Sequence, residues 1–226
     1  MIISHKYRFI WFKTEKTASS SLRRLLLDVC KHEPAIDNTD LVSRWRGTSV
    51  ELGDFSVTPR KRGWTRRHLP QIFGLHTHAK AAQVRAIVGN SIFDDYFKFS
   101  SERNPWDRQL SLYSQRSQKK GRVNLEQFDR DLSSPFWRAI HYTRLNNWDI
   151  YSIDDRPCVD FMIRFERLNE DVSYVLDRIG YRGGYQLPHN RVSRQRKSYR
   201  EFYTKESRYL VEKWYQKEIR EFQYEF

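Results

Sequence analysis

Tyr7-Arg8-Phe9-Ile10-Trp11-Phe12-Lys13-Thr14-Glu15-Lys16-Thr17-Ala18-Ser19-Ser20-Ser21 joins an apolar run to a polar segment rich in small hydroxyl residues. Residues 7–12 form an apolar run, and Leu22, Leu25, Leu26 and Val29 follow the polar segment at helical spacing. The stretch therefore reads as strand, loop, helix. A loop of small hydroxyl residues opening a helix offers free backbone N–H groups and the positive end of the helix dipole to an anion. Lys16 adds a mobile positive charge, which completes a phosphate-type cradle. The nucleotide-binding loop G-x-x-x-x-G-K-[ST] is excluded here, because the first glycine of the chain is Gly47. On these residues alone, an ordinary Ser-capped helix beside a solvated lysine is equally consistent.

Outward from that loop, composition narrows the partners. The chain has 226 residues, which suits one domain over 1–226 with a sizeable core. Aromatic residues reach 15%, so Phe, Tyr and Trp are expected to build much of that core. The net charge of +13 directs attention to anionic partners: nucleic acid, acidic glycan, nucleotide or membrane surface. Cys30 and Cys158 are the only cysteines, which excludes a disulfide framework and a clustered zinc motif. The sequence shows no signal-peptide apolar region and no run long enough to span a membrane. A soluble, cytoplasmic enzyme without a membrane anchor is the expectation.

Further along, residues 79–88 are good helix formers ending at Gly89, and Tyr96–Ser100 alternates as a strand. Asn104-Pro105-Trp106-Asp107 predicts a helix start: Asn at the cap, Pro in the first position, an acid in the first turn. Helices are expected near 124–132 and 135–148, a buried strand over 159–165, and a helix from Leu168 closed by Gly180. Thr204 is expected to cap one last helix carrying Leu210, Val211, Trp214, Ile219 and Phe222. Strands alternating with helices predict an α/β fold with a central, mainly parallel sheet flanked by helices.

The second constellation is Arg103-Asn104-Pro105-Trp106-Asp107-Arg108-Gln109-Leu110-Ser111-Leu112-Tyr113. An arginine beside a helix N-terminus can make charge-assisted hydrogen bonds to a phosphate, with Ser111 two turns further on. Equally, Arg103 can form a structural pair with Asp107. The two segments together resemble PAPS-dependent sulfotransferases (PAPS is 3′-phosphoadenosine 5′-phosphosulfate). K-T-A-S-S-S is similar to the 5′-phosphosulfate loop of carbohydrate sulfotransferases, and R-N-P-x-x-R-x-x-S-x-Y is similar to their 3′-phosphate motif. The resemblance implies a P-loop-kinase-like sulfotransferase fold, of a bacterial or phage type because Golgi members carry a membrane anchor. It further implies that Lys16, Thr17, Ala18, Ser19, Ser20 and Ser21 hold the phosphosulfate. By the same resemblance Arg103 and Ser111 hold the 3′-phosphate, and adenosine 3′,5′-bisphosphate is the product.

Sulfuryl transfer to an alcohol needs a base for the hydroxyl proton, and histidine suits that near neutrality. His76-Thr77-His78-Ala79-Lys80-Ala81 leads into the helix 79–88. Glycan sulfotransferases resembling this chain carry an H-x-x-A or H-x-H segment between the two motifs. His78 fits both forms and is the expected base; His76 fits only the second and is the expected helper. A metal pair or a helix-cap histidine is the plainer reading, and no metal is expected. Glu102 is a weaker candidate base, since the adjoining Arg103 lowers a carboxylate's pKa.

The basic loop 189–197 supplies Arg191, Ser193, Arg196 and Lys197, which the resemblance places over the nucleotide; a solvated charge run is the alternative. Residues 60–67 interleave Trp64 with cations, a composition suited equally to glycan stacking and nucleic-acid contact. The expected acceptor is a hydroxyl of a saccharide or acidic glycan. A small hydroxylated metabolite is the alternative within the same chemistry. A nucleic-acid-binding protein is the alternative from another class, and nucleic acid is not the expected partner.

Overall fold

The computed structural model describes residues 1–30, 35–37, 54–56, 78–118, 127–136, 144–187 and 198–226. The strands are β1 (Ile2–Ser4), β2 (Phe9–Trp11), β3 (Ala35–Asp37), β4 (Asp54–Ser56), β5 (Phe97–Glu102), β6 (Ser152–Ile153), β7 (Arg156–Pro157) and β8 (Phe161–Arg164). The α-helices are α1 (Ser19–Val29), α2 (Ala81–Val88), α3 (Asn90–Asp95), α4 (Pro105–Gln118), α5 (Phe128–Ser133), α6 (Trp148–Tyr151), α7 (Leu168–Arg178), α8 (Lys205–Trp214) and α9 (Gln216–Phe222). The chain gathers into two compact units, Met1–Glu102 with Asp149–Asn190, and Arg103–Trp148 with Arg191–Phe226.

The first unit holds the central sheet, in the order β1-β2-β5-β8. β1 is antiparallel to β2, while β2–β5 and β5–β8 are parallel, so the sheet is mainly parallel as expected. Alternation of side chains across a strand assigns its two faces. Phe9, Trp11 and Phe99 meet Leu22, Leu25, Leu26 and Val29 of α1 and Val172, Val175 and Leu176 of α7 in one buried cluster. On the opposite face Phe93 of α3 lies against the Phe12 ring and under the Lys98 ammonium. Helices thus flank both faces, and the fold is α/β. β3 and β4 form a separate parallel pair.

Two departures from the sequence expectations have local causes. β6 and β7 form a hairpin whose loop residues Asp154 and Asp155 both take positive φ (50° and 61°), the geometry of a type I′ turn that matches strand twist. The helix expected over 135–148 does not include 144–147, which are irregular; a short helix starts instead at Trp148.

The second unit is helical in its described part. Asn104 caps α4 as expected: its side-chain oxygen accepts from the Trp106 N–H at 3.1 Å, and its amide donates to the Glu225 carbonyl at 2.7 Å. Trp106 and Tyr203 pack edge-on against Phe226, and Phe128 packs against Tyr203. The single last helix read from the sequence is two helices, interrupted at Tyr215. That phenol is buried, donates to Gln109 at 2.9 Å and accepts from the Leu145 N–H at 2.8 Å.

Candidate active site

The parallel strands β2, β5 and β8 deliver their carboxyl ends to one edge of the sheet, where open α/β folds bind ligands. The loop leaving β2 begins with one extra rung, the Phe12 N–H donating to the Phe99 carbonyl at 2.9 Å. Ser100 donates to the Phe12 carbonyl at 2.9 Å. Beyond it the loop turns sharply. Lys16 (φ 66°) and Ala18 (φ 61°) are both left-handed, at a cost of about 1–2 kcal/mol per non-glycine residue. Turns with left-handed residues line up backbone N–H groups into anion-binding concavities.

Ala18, not a serine, is the N-cap of α1, so the cap position offers no side-chain acceptor. The Ser21 and Leu22 N–H groups bond back to the Ala18 carbonyl at 2.9 and 3.1 Å. The amides at the very start of α1 thus receive no bond from the cap residue's side chain, an arrangement that suits an incoming anion. Lys16 is half-buried, Ser20 exposed, and Ser19 and Ser21 buried. The Thr17 hydroxyl is fully buried and faces inward, 2.8 Å from both the Thr14 and Ser101 hydroxyls. Lys13 lies half-buried with its ammonium pKa lowered, first by burial and then by Arg23.

His78 is half-buried, and its Nδ1 lies 2.7 Å from the Lys13 carbonyl. A carbonyl only accepts, so Nδ1 carries the proton and the lone pair of the neutral ring resides on Nε2. The next residues are also pinned: Lys80 pairs with Asp149 at 2.6 Å, and its N–H donates to the Gln83 side chain at 3.1 Å. Glu102 is fully buried at the end of β5 and accepts from the Tyr151 hydroxyl at 3.1 Å.

In the second unit, Arg103 is nearly buried and donates twice to one oxygen of Asp107, at 2.8 and 2.5 Å. Asp107 and Ser111, four residues apart, share one stripe of α4, and Arg103 stands just before the helix cap. Ser111 is half-buried there. Arg108, from the same motif, is fully buried, bonded to Glu218 at 3.2 Å and stacked 4.4 Å from the Tyr215 ring centre. His76, Arg191, Ser193, Arg196, Lys197 and the segment 60–67 lie outside the described residues. Sequence reasoning missed Thr14 and Ser101 as partners of the loop. Their signal is a run of small hydroxyl residues, Ser100 and Ser101, at the end of an otherwise apolar strand. Among the described residues, no group of His, Cys, Asp and Glu is placed to hold a metal ion. No helix among them is long and apolar enough to cross a membrane.

These features agree with what comparison finds. The model of a family described as the sulfotransferase family matches residues 1–225. A protein of Archaeoglobus fulgidus, described only as uncharacterized, is 31% identical over 106 residues, covering 44% of this chain and 81% of its own length. No solved structure matches the chain. With a left-handed loop opening a helix at the carboxyl edge of a mainly parallel sheet, and a family match running through almost every residue, the chain belongs to the sulfotransferase family.

Proposed function

We propose that this chain, as one sulfotransferase domain, moves the sulfuryl group of PAPS to a hydroxyl of an acceptor, a saccharide or acidic glycan. The observation that carries the reading is the bond from His78 to the Lys13 carbonyl, which ties a candidate base to the loop bearing Lys16. When bound, PAPS supplies an activated sulfuryl group and leaves as adenosine 3′,5′-bisphosphate. The amides of Thr17 to Ser20, with the hydroxyls of Ser19, Ser20 and Ser21, receive its anionic phosphosulfate, and Lys16 supplies positive charge beside them. His78 Nε2 takes the acceptor's hydroxyl proton while the acceptor oxygen bonds to sulfur and the bond from sulfur to the bridging oxygen breaks. Lys16 stabilises the negative charge that gathers on that leaving oxygen, an electrostatic contribution at a preformed site. His76 assists the acceptor.

Arg103 and Ser111 take the 3′-phosphate, in keeping with the resemblance of their motif. Arg103 is already paired with Asp107, so this reading has Asp107 orienting the guanidinium rather than competing for it. By the family resemblance, Arg191, Ser193, Arg196 and Lys197 are candidates to contact the nucleotide. The net charge of +13 favours an acceptor that is itself anionic. The test is transfer of labelled sulfate from PAPS onto separate pools of glycans, lipids and small metabolites. Label in the glycan pool supports the reading. Label confined to metabolites corrects the acceptor, and label in no pool contradicts the activity.

A further inference from the structure

The buried hydroxyls of Thr14, Thr17 and Ser101 have a hydrogen-bond pattern with only one consistent arrangement of protons. Thr14 donates to the Ser101 carbonyl at 2.5 Å, which spends its single proton. The Thr14–Thr17 contact of 2.8 Å must then be a donation from Thr17 to Thr14. The Thr17–Ser101 contact, also 2.8 Å, must in turn be a donation from Ser101 to Thr17. The longer Thr14–Ser101 hydroxyl contact, 3.2 Å, is left without a proton. The chain therefore runs one way, from Ser101 to Thr17 to Thr14 and back to the Ser101 carbonyl. All three residues are 0% exposed, so water does not offer an alternative partner.

Resting on the donor-binding reading above, we propose that Thr14 and Ser101 are positioning residues for the donor loop, and that the Thr17 hydroxyl is an anchor and not a donor ligand. Its proton is committed inward, so Thr17 meets an anionic donor through its backbone N–H alone. The relay fastens both ends of the turn Thr14–Thr17 to β5. It thereby holds Lys16, between those ends, and Ala18, just beyond, in their left-handed conformations. Two side chains outside the donor site thus set the shape of the backbone that receives the donor, while its binding atoms remain unchanged.

The test uses the full chain with adenosine 3′,5′-bisphosphate as the probe, in wild type, Thr14→Val, Thr14→Ser, Thr17→Val and the double variant. Valine keeps the branched shape and removes the hydroxyl. Loss of one buried hydrogen bond predicts roughly tenfold weaker binding for Thr14→Val and for Thr17→Val. Thr14→Ser should restore affinity to within about threefold of wild type. The double variant should lose less than the product of the single losses, because both act on one chain. Amide resonances of residues 16–20 in the free protein should shift in Thr14→Val and return in Thr14→Ser. Thr17→Val weakening the probe while Thr14→Val leaves both affinity and amide shifts unchanged would overturn the proposal. Failure of the wild type to bind the probe would instead overturn the donor reading, with the amide shifts still reporting on the relay. Should Thr14→Val fail to fold, Ser101→Ala removes the first donor of the chain and carries the same test.

Discussion

His78 and Lys13 meet across 65 residues of chain, and the bond between them does two things at once. It fixes the tautomer of the ring, and it attaches the ring to the backbone that precedes Lys16. Replacing His78 by Ala should lower the transfer rate about 100-fold or more, the usual scale for a lost general base. Affinity for adenosine 3′,5′-bisphosphate should stay within about threefold, because the amides of the loop remain. Single-turnover assays beside calorimetric titration separate the two, and retained turnover would remove His78 from the role of base. Lys16 and His78 stand out as candidates in the sequence because loop motifs and residue chemistry are local. The Arg103–Asp107 pair was legible as an alternative, since an arginine just before the Asn104 cap is within reach of an acid in the first turn of α4. Thr14 and Ser101 were not legible, because their contact depends on the pairing of β2 with β5, 87 residues apart in the chain.

Among the elements, the end of the chain shows how a tertiary anchor overrides a helical pattern. Apolar spacing from Leu210 to Phe222 reads as one helix, yet Tyr215 (φ −119°, ψ 27°) breaks it. Burial of its phenol between Gln109 and the Leu145 amide fixes the ring, and the Arg108 guanidinium stacks on its face. Nothing in a single helix's periodicity announces such a partner. Arg108 and Glu218 form a buried ion pair joining α4 to α9. Removing one member leaves the other charged and buried, so Arg108→Met and Glu218→Leu alone should each cost about 3–5 kcal/mol of stability. The double replacement Arg108→Met with Glu218→Leu should be far less damaging than the sum of the singles. Urea unfolding of the four proteins measures this cycle, and additive losses would show that the pair is not coupled. The helix starts, by contrast, were readable at Asn104 and Thr204, where the capping side chain lies next to the amides it serves.

For the molecule as a whole, the α/β class followed from the order of strands and helices. The added antiparallel β1 and the β6–β7 hairpin did not, because runs of two or three residues carry too little periodicity. Aromatic residues give the second unit a pH limit. Burial raises the phenol pKa of Tyr203 well above its ordinary value, with Tyr215 and Asp107 adding to it. Burial likewise raises that of Tyr215, partly offset by Arg108. A group whose pKa is raised on folding contributes stability that is complete below the unfolded value, about 10 for tyrosine, and is lost as pH climbs beyond it. Stability should therefore be level in this respect below pH ~10 and fall above it, with these phenols ionising only as the protein unfolds. Absorbance titration alongside circular dichroism checks the sign; ionisation of every tyrosine in a still-folded protein would contradict it.

A strongly basic sulfotransferase-family chain can attract many anions without serving any one of them, so selectivity among anions is the decisive property. Thermal unfolding in the presence of adenosine 3′,5′-bisphosphate, ATP or single-stranded DNA, each at the same ionic strength, measures it directly. A clear rise in melting temperature is expected with the bisphosphate, little with ATP or DNA, and loss of the rise in Lys16→Ala. No response to the bisphosphate, or an equal response to all three ligands, would contradict it.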